Sequence, residues 1–445
     1  MTRVSFLVRF HAISAHAFAL CLALGAAVCA HAGAPAAPDT LRLEALIAES
    51  LRANPELAAA RDAWRAAEAG VSAAGALEDP ILGFMLDDQP VSGAGEGRRE
   101  VSLSQAIPFP GKRGLMSQEA AHDAALARAF ARGVVRRLIA EVKAAYFDLF
   151  MLEAKLATLR ESQSALDEVV AGARVRYEVG TGAQQDLLLA MVEASSLKGE
   201  ILHVEALAGS GRAKLNLLLD REAGAPLGHA WVDSLSPFEA TLPDLLDAAR
   251  ASSPAVLARE REVDTATVAH RLARIAYRPD FMLSGAYMQV PRETDEWRAE
   301  AALSIPLWKA RKQDAIAHAA GRRLNAARYD LDAERNRASA AVEEQFAHTT
   351  SEREIVELYR REILPQAELA YKSARSNYLA GREMFLILIE AHRKRIELRN
   401  AYYEYFADSE MHLASLEEAV GKDLSRIQFD IDAILEADPT EEERP

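Results

Sequence analysis

Cysteine is almost absent from this sequence of 445 residues, which contains only Cys21 and Cys29. Both lie in its N-terminal apolar stretch, so a chain cleaved after residue 32 would have none. Aromatic residues are scarce at 7%, and beyond the N-terminal stretch no run of about 18 apolar residues occurs. The sequence therefore predicts a protein without disulfides and without a transmembrane helix, stabilised by packing or by assembly.

A net positive charge is also lacking, since the formal charge at pH 7 is −14. Nucleic acid and anionic membrane surfaces are therefore poor partners, because they repel such a chain. The histidines are scattered without cysteine or paired spacing, and no nucleophile elbow, phosphate loop or nucleotide fingerprint occurs. The sequence thus predicts no enzyme, no metal ligands and no cofactor.

The N-terminal 32 residues have the features of a secretory signal peptide. Two arginines precede a short apolar stretch, and the segment at 30–32 fits the small-x-small cleavage rule. We expect residues 1–32 to be removed on export, with 33–38 as a linker. An uncleaved anchor and lipid attachment at Cys29 remain as alternatives.

An internal repeat organises the rest of the chain. Three pairs of motifs recur in the same order, separated by 198 to 201 residues: Asn54-Pro55 and Ser253-Pro254, Ile107-Pro108 and Ile305-Pro306, and Arg174-x-x-Tyr177-x-x-Gly180 and Arg375-x-x-Tyr378-x-x-Gly381. These pairs predict two copies of one unit, residues 39–235 and 239–424. An acidic C-terminal tail follows at 425–445, and its end, from residue 436, is predicted to be disordered.

Each copy is predicted to contain a helix, two strands, a long helix and a returning helix. In the first copy the opening helix covers 41–77, the strands lie within about 80–108, and the helical hairpin spans about 111–219. In the second copy the strands lie within about 279–307 and the hairpin spans about 311–420. The predicted fold class is mainly α, with β strands for a membrane.

The long helix of the first hairpin carries a heptad seam. Its apolar residues are spaced alternately by four and three residues: Leu138, Val142, Ala145, Leu149, Leu152, Leu156 and Leu159. This spacing predicts coiled-coil packing. A helix from 111 to 178 would be about 100 Å long at 1.5 Å per residue, which is longer than an ordinary globular domain needs.

The strand segments alternate between an apolar face and a small or polar face. The apolar positions are Val101, Leu103, Phe281, Leu283, Gly285, Tyr287, Trp297, Ala299, Ala301, Leu303 and Ile305. The alternation fits a transmembrane strand and equally a half-buried strand of a soluble sheet. Four strands cannot close a barrel in lipid, whereas three chains would supply twelve. If the strands lie in a membrane, we expect a homotrimer with a twelve-stranded β-barrel on an α-helical tunnel.

The duplication, the order of the elements and the two Arg-x-x-Tyr-x-x-Gly motifs resemble those of TolC-like outer-membrane efflux channels, over essentially the whole chain beyond the signal peptide. The resemblance implies a trimer in outer-membrane lipid whose tunnel lies in the periplasm. There an adaptor protein would link it to an inner-membrane pump. The segment 101–113 is similar to the second-strand exit of members that serve heavy-metal exporters of the RND type. The implied function is export of small solutes, such as heavy-metal cations or drugs.

The resemblance also implies a gate and an adaptor-docking site at the two hairpin turns. The glycines would end helices in the left-handed conformation, the arginines and tyrosines would hydrogen-bond between coils, and the acidic residues would form carboxylate rings. The positions concerned are Arg174, Tyr177, Gly180, Asp186, Arg375, Tyr378, Gly381 and Glu390. Ile387 stands where some members have a further acidic residue. A capped, solvated helical hairpin without a gating role would show the same turn residues.

Two other functions remain open. A periplasmic adaptor would also contain a long coiled-coil hairpin, but we expect one hairpin flanked by small β-domains rather than two in tandem. In a soluble structural coiled-coil protein, the alternating segments near residues 100 and 300 would be turns.

Overall fold

The computed structural model describes residues 40–87, 97–291 and 293–437. The predicted signal peptide, the linker at 33–38, Cys29 and the end of the acidic tail lie outside the described residues. Within the three described ranges, every helix is too short or too polar to cross a bilayer.

The first repeat contains the predicted helix, strand pair and helical hairpin. Its elements are β1 (Thr40–Leu41), α1 (Leu43–Ala53), α2 (Pro55–Ala74), β2 (Ile81–Asp87), β3 (Arg98–Ile107), α3 (Lys112–Glu178), α4 (Gln184–Leu218) and β4 (His229–Ala230). The short strands β1 and β4 pair in parallel. The hydroxyl of Tyr146 fixes this pair to α3 by donating to the carbonyl oxygens of Leu41 at 3.2 Å and Trp231 at 2.9 Å.

The second repeat follows the same order. Its elements are α5 (Leu242–Ser252), α6 (Pro254–Ile275), β5 (Asp280–Gln289), β6 (Glu296–Ser304), α7 (Gln313–Leu358), a π-helical turn (Tyr359–Ile363), α8 (Leu364–Leu379), α9 (Phe385–Val420) and α10 (Ile431–Glu436). The π turn directly precedes Pro365, which has no N–H to donate and whose ring crowds the carbonyl four residues earlier. Widening the helix by one residue relieves that crowding.

The opening helix predicted at 41–77 is in fact two helices, and the prediction of one was wrong. Asn54 stands between α1 and α2 with extended backbone, because a residue before proline is disfavoured in the helical region. Its side chain caps α2 by accepting from the backbone N–H of Glu56 at 2.9 Å. Ser253 before Pro254 separates α5 from α6 at the corresponding place, but its side chain makes no capping hydrogen bond.

The predicted heptad seam of α3 is the centre of the helical core. All seven seam residues, from Leu138 to Leu159, are at most 8% exposed. The N-terminal part of the seam, up to Leu149, packs with residues of α1, α2, α9 and α10, including Ile47, Leu57 and Phe406. The C-terminal part, from Leu152, packs with α4, α8 and α9. The coiled-coil prediction is confirmed, and the two hairpins share two clusters of buried residues that follow one another along α3.

The four long strands form one antiparallel sheet in the order β2-β3-β5-β6. The register places the predicted apolar residues side by side, as in the rows Phe84–Val101–Tyr287–Trp297 and Leu82–Leu103–Gly285–Ala299. The opposite face carries the rows Glu100–Met288–Glu296 and Ser104–Ser284–Glu300. The sheet of one chain is open, with β2 and β6 at its edges.

Part of the segment assigned to the acidic tail is ordered against the helical core. The helix α10 buries Leu435 completely. Its Asp432 accepts two hydrogen bonds of 2.6 Å from one nitrogen of Arg132 and one of 3.0 Å from Nε. The acidic residues at the start of this segment are therefore partners for arginines of α3.

Candidate functional site

The turns between the helices of the two hairpins have the same backbone geometry. Gly180 has φ +76° and Gly381 has φ +70°, the left-handed conformation that glycine adopts without strain. In the first turn the N–H of Gly180 donates to the carbonyl of Tyr177 and that of Thr181 to the carbonyl of Arg176. The second turn repeats both bonds, from Gly381 and the residue after it. Each long helix thus ends in a Schellman motif.

Gly182 is needed in the first turn for a different reason. A Cβ atom at this position would lie 2.9 Å from the Cβ of Arg176 and 3.2 Å from its carbonyl carbon. The close approach lets the N–H of Gly182 donate to the carbonyl of Arg176 at 2.9 Å. The chain therefore reverses within a few residues before α4 begins.

The two hairpin ends lie side by side and are joined by Arg176. Its Nη1 donates to the backbone carbonyl of Tyr378 at 2.9 Å. Its guanidinium lies over the ring of Tyr378, 4.9 Å from the ring centre. A cation in this position is attracted both by the carbonyl and by the face of the ring. Arg176 thus connects the first hairpin to the end of the second.

Tyr378 is buried in this junction. It is 5% exposed and meets the ring of Phe385 edge-on, with 5.4 Å between the ring centres. Burial raises the pKa of its hydroxyl, Arg176 lowers it, and the nearby carboxylate of Asp186 raises it. The side chain of Asp186 in the first turn of α4 therefore lies near Tyr378, as well as at the positive end of its helix.

The other predicted gate residues are distributed differently in the two repeats. Arg375 forms an ion pair with Glu168 of α3 at 2.8 Å, which also joins the two hairpins. Arg174 and Tyr177 are exposed, Tyr177 by 44%. Among the described residues of one chain, neither side chain has a hydrogen-bond or ion-pair partner. They are available to contact another molecule.

The acidic positions are not equivalent in the repeats. Glu390 is exposed in the second turn of α9. Counted from the glycine of each turn, the counterpart of Asp186 is Ile387, which is 37% exposed. Asp186 and Glu390 thus lie at different depths along the two hairpins.

Further ion pairs join the hairpins at a distance from the turns. They are Arg393–Glu193, with 2.8 Å between Nε and Oε1, Arg399–Glu161 at 2.8 Å, and Lys155–Glu404. In each pair at least one side chain is 47% exposed or more, so each pair contributes little to stability alone. Together with Arg375–Glu168 they fix the register between the hairpins.

A buried polar group lies inside the second hairpin. The guanidinium of Arg395 lies 4.2 Å from the ring centre of Tyr371. The ring centres of His392 and Tyr371 are 5.4 Å apart. His392 is 2% exposed, and burial, followed by the charge of Arg395, lowers its pKa to about 4, against a smaller opposing effect of Glu193. His392 is therefore neutral at pH 7.

The sequence predicted neither the contact of Arg176 with the second hairpin nor the close approach at Gly182. Both belong to the first turn, but neither is part of the Arg-x-x-Tyr-x-x-Gly repeat that drew attention to it. Gly182, two residues after the glycine of the motif, was a signal that a second close approach occurs there. Arg176 could be found only from the fold, because its partner is 202 residues away.

Comparison with known proteins agrees with this architecture. Residues 46–219 match the family described as outer membrane efflux protein. The chain is 23% identical over 392 residues to the cobalt-zinc-cadmium resistance protein CzcC of Cupriavidus metallidurans, with 87% of this chain and 91% of that protein covered.

Solved structures share the fold. The structure of CusC has a TM-score of 0.75 at 20% identity, covering 85% of this chain and 92% of CusC. The open state of the MtrE outer membrane channel of Neisseria gonorrhoeae has a TM-score of 0.74 at 19% identity, covering 87% and 91%. The first repeat of this chain thus matches the outer membrane efflux protein family, and most of the chain shares the fold of solved outer membrane channels.

Proposed function

We propose that this chain is the outer-membrane channel subunit of a tripartite efflux system and that it works as a homotrimer. The observation that carries this is the open four-stranded sheet with one mainly apolar face, attached to helices of tunnel length. In lipid the edges at β2 and β6 would leave backbone groups unpaired. Pairing of these edges between three chains supplies the missing hydrogen bonds and gives a twelve-stranded barrel.

The two faces of the sheet fit this assembly. The rows that contain Tyr287 and Trp297 would face lipid, with aromatic rings at one level of the strands. The rows that contain Glu100, Arg298 and Glu300 would face the aqueous lumen. Arg298 and Glu100 already lie within 4.0 Å in one chain, so the charges of this face are partly balanced.

The hairpin turns would form the periplasmic entrance and dock the adaptor protein. Arg176, Tyr378 and Arg375 hold the two hairpins of one chain together. Arg174 and Tyr177, which are exposed, would then bond to the neighbouring chain and close the entrance. Asp186 and Glu390 would each form a ring of three carboxylates that favours cations.

The cargo we propose is a heavy-metal cation, delivered by an inner-membrane pump of the RND type through the adaptor. The support is the likeness to CzcC, named for cobalt, zinc and cadmium resistance. The channel contributes no catalytic step, since its part is to offer a continuous aqueous path past the outer membrane.

Deletion of the gene tests the efflux function. We expect increased sensitivity to salts of zinc, cobalt or cadmium, restored by the wild-type gene, and little change for antibiotics that other channels export. Unchanged sensitivity to metals, dyes and antibiotics alike would count against efflux. Fractionation tests the location separately, because recovery only in the soluble periplasm would contradict a channel.

The homotrimer has its own test. Detergent-solubilised protein should have the mass of three chains. A stable monomer with a folded sheet would refute the pairing of β2 with β6 of a neighbour.

A further inference from the structure

The second repeat brings together two histidines and a glutamate whose spacing in the sequence predicts no metal site. His348 and Glu352 are one helical turn apart on α7, so they share a face. His412 lies opposite them on α9. One ligand atom from each of the three side chains lies within 4.8 Å of the other two. The sequence does not show this group, because its histidines are 64 residues apart and meet only when the two helices pack.

The neighbours of His412 determine which of its ring nitrogens carries the proton. Nδ1 lies 2.8 Å from Oε1 of Gln345, a carbonyl oxygen that can only accept, so Nδ1 carries the proton. The lone pair of Nε2 therefore points toward Oε1 of Glu352, 3.4 Å away. A histidine held by a hydrogen bond at one nitrogen, with the other nitrogen free, is the usual arrangement of a metal ligand.

Two acceptors that face each other require a positive group between them. The other oxygen of Glu352, Oε2, is buried and has no hydrogen-bond partner among the described residues. The carboxyl group of Asp408, one turn before His412, lies close enough to add to the negative charge.

The imidazole rings of the two histidines lie side by side. The rings of His348 and His412 are stacked, with 4.8 Å between centres and 16° between planes. Because Nδ1 of His412 is bonded to Gln345, Nε2 is the nitrogen with a lone pair to offer.

From this geometry we propose that His348, Glu352 and His412 bind a divalent transition-metal cation, with Zn²⁺ as the best fit, in the seam between α7 and α9. Zn²⁺ takes nitrogen and oxygen ligands at about 2.0–2.2 Å in a tetrahedron, which places neighbouring ligand atoms roughly 3.3 Å apart. The His412–Glu352 pair is already at 3.4 Å. His348 is exposed and free to approach by a change of rotamer. A water molecule completes the tetrahedron.

The donor set also determines which cations are rejected. Two imidazoles and a carboxylate suit Zn²⁺, Co²⁺, Ni²⁺ and Cu²⁺, whereas Mg²⁺ and Ca²⁺ prefer oxygen ligands alone. The site lies far along the hairpin from the turns at residues 180 and 381 and uses none of the proposed gate residues. It does not depend on the proposed efflux function, since a structural cation would bind there in any channel of this sequence.

Metal titration of the full-length trimer tests the proposal. The protein is purified in detergent with an affinity tag that contains no histidine, stripped with a chelator and titrated with Zn²⁺ by calorimetry. Co²⁺ serves as a second probe, through the visible absorption of tetrahedral cobalt. We expect one site per chain that a large excess of Mg²⁺ does not displace.

Three variants and a control locate the site. His412→Ala, His348→Ala and Glu352→Gln should each weaken Zn²⁺ binding by at least about tenfold. His318→Ala, an exposed histidine elsewhere on α7, should leave it unchanged. Because His348 is exposed and Glu352→Gln keeps the shape of the side chain, at least these two variants should elute as folded trimers.

The result that overturns the proposal is equally defined. A wild-type trimer that binds no Zn²⁺ would show that Glu352 and His412 merely share a proton. Variants that bind Zn²⁺ as the wild type does would place the metal elsewhere. Neither result bears on efflux, which is measured by metal sensitivity of cells rather than by binding to the purified protein.

Discussion

The turn of the first hairpin and the turn of the second share a backbone but differ in what their side chains contact. Both long helices end at a glycine with positive φ and with the same two hydrogen bonds. Yet Tyr177 is 44% exposed and Tyr378 only 5%, and Arg174 is unpaired within the described chain while Arg375 binds Glu168. Duplication has kept the turn, whereas the surfaces have become specialised, one toward the same chain and one outward.

The largest difference is expected for truncation of the two tyrosines. Tyr378→Ala removes a buried ring that packs on Phe385 and Arg176, and it should destabilise the folded chain by about 3 kcal/mol or more. Tyr177→Ala should change the free energy of unfolding of a single chain by less than about 0.5 kcal/mol. Thermal unfolding followed by circular dichroism in detergent measures both. Equal effects would mean that Tyr177 is buried as deeply by a neighbouring chain.

A difference of similar size is expected in the pH dependence of stability. His392 is buried in the second hairpin beside Tyr371 and Arg395, whereas its counterpart by position in the first is the exposed Met191. Because its folded-state pKa of about 4 lies below the ordinary 6.5, the unfolded chain binds more protons between these values. The contribution of neutral His392 to the free energy of unfolding is therefore fully present above pH 6.5. It is lost as the pH is lowered toward 4, by up to about 3 kcal/mol per chain.

The variant His392→Phe should remove this contribution. The quantity to compare is the difference between the unfolding temperatures of wild type and variant as a function of pH, since carboxylates titrate in the same range in both. His203→Phe, an exposed position on α4, is the control and should behave as wild type. A difference that stays constant from pH 7 to pH 4 would contradict a buried neutral histidine.

The shared backbone should respond equally in the two repeats. Gly180→Ala and Gly381→Ala each force a Cβ atom into the left-handed conformation, at a cost of about 1–2 kcal/mol. Neither substitution meets a close neighbour, since the nearest atom to the new Cβ is 3.9 Å away at Gly381 and further at Gly180. Unfolding temperatures lowered to a similar extent would show that strain alone is acting. A much larger drop at one turn would reveal a contact from another subunit.

The smallest effect is expected for the ion pair of the second repeat. Arg375 and Glu168 keep 42% and 67% of their side-chain surfaces exposed, so Arg375→Gln should lower stability by less than about 0.5 kcal/mol. The double variant with Glu168→Gln should add nothing further. A coupling energy above about 1 kcal/mol in this double-mutant cycle would show that the pair is shielded from solvent in the trimer.

Periodic features of this fold were predictable, and single long-range contacts were not. The heptad from Leu138 to Leu159 predicted the core, and the alternation around Val101 and Trp297 predicted which residues share a face of the sheet. Glycine in the motifs predicted the turn geometry. These features depend on local spacing, which a sequence displays directly.

The contacts that were missed depend on which helices become neighbours. Arg176 rather than Arg174 reaches Tyr378, Asp432 reaches back to Arg132, and His348 meets His412. In the opening helix the local signal was present but was not used, since Asn54-Pro55 combines a capping residue with a helix-starting proline. The π turn before Pro365 had the same kind of local signal.

That π turn has a consequence for the symmetry of the assembly. The helix α3 covers 67 residues, and α7, the π turn and α8 together also cover 67, from 313 to 379. One extra residue in a turn rotates all later side chains by about 100° relative to an uninterrupted helix. The two hairpins are thus equal in length but out of phase near their ends, in agreement with a buried Tyr378 and an exposed Tyr177. A ring of three such chains contains six hairpins yet can have only threefold symmetry, so two distinct kinds of seam alternate around it.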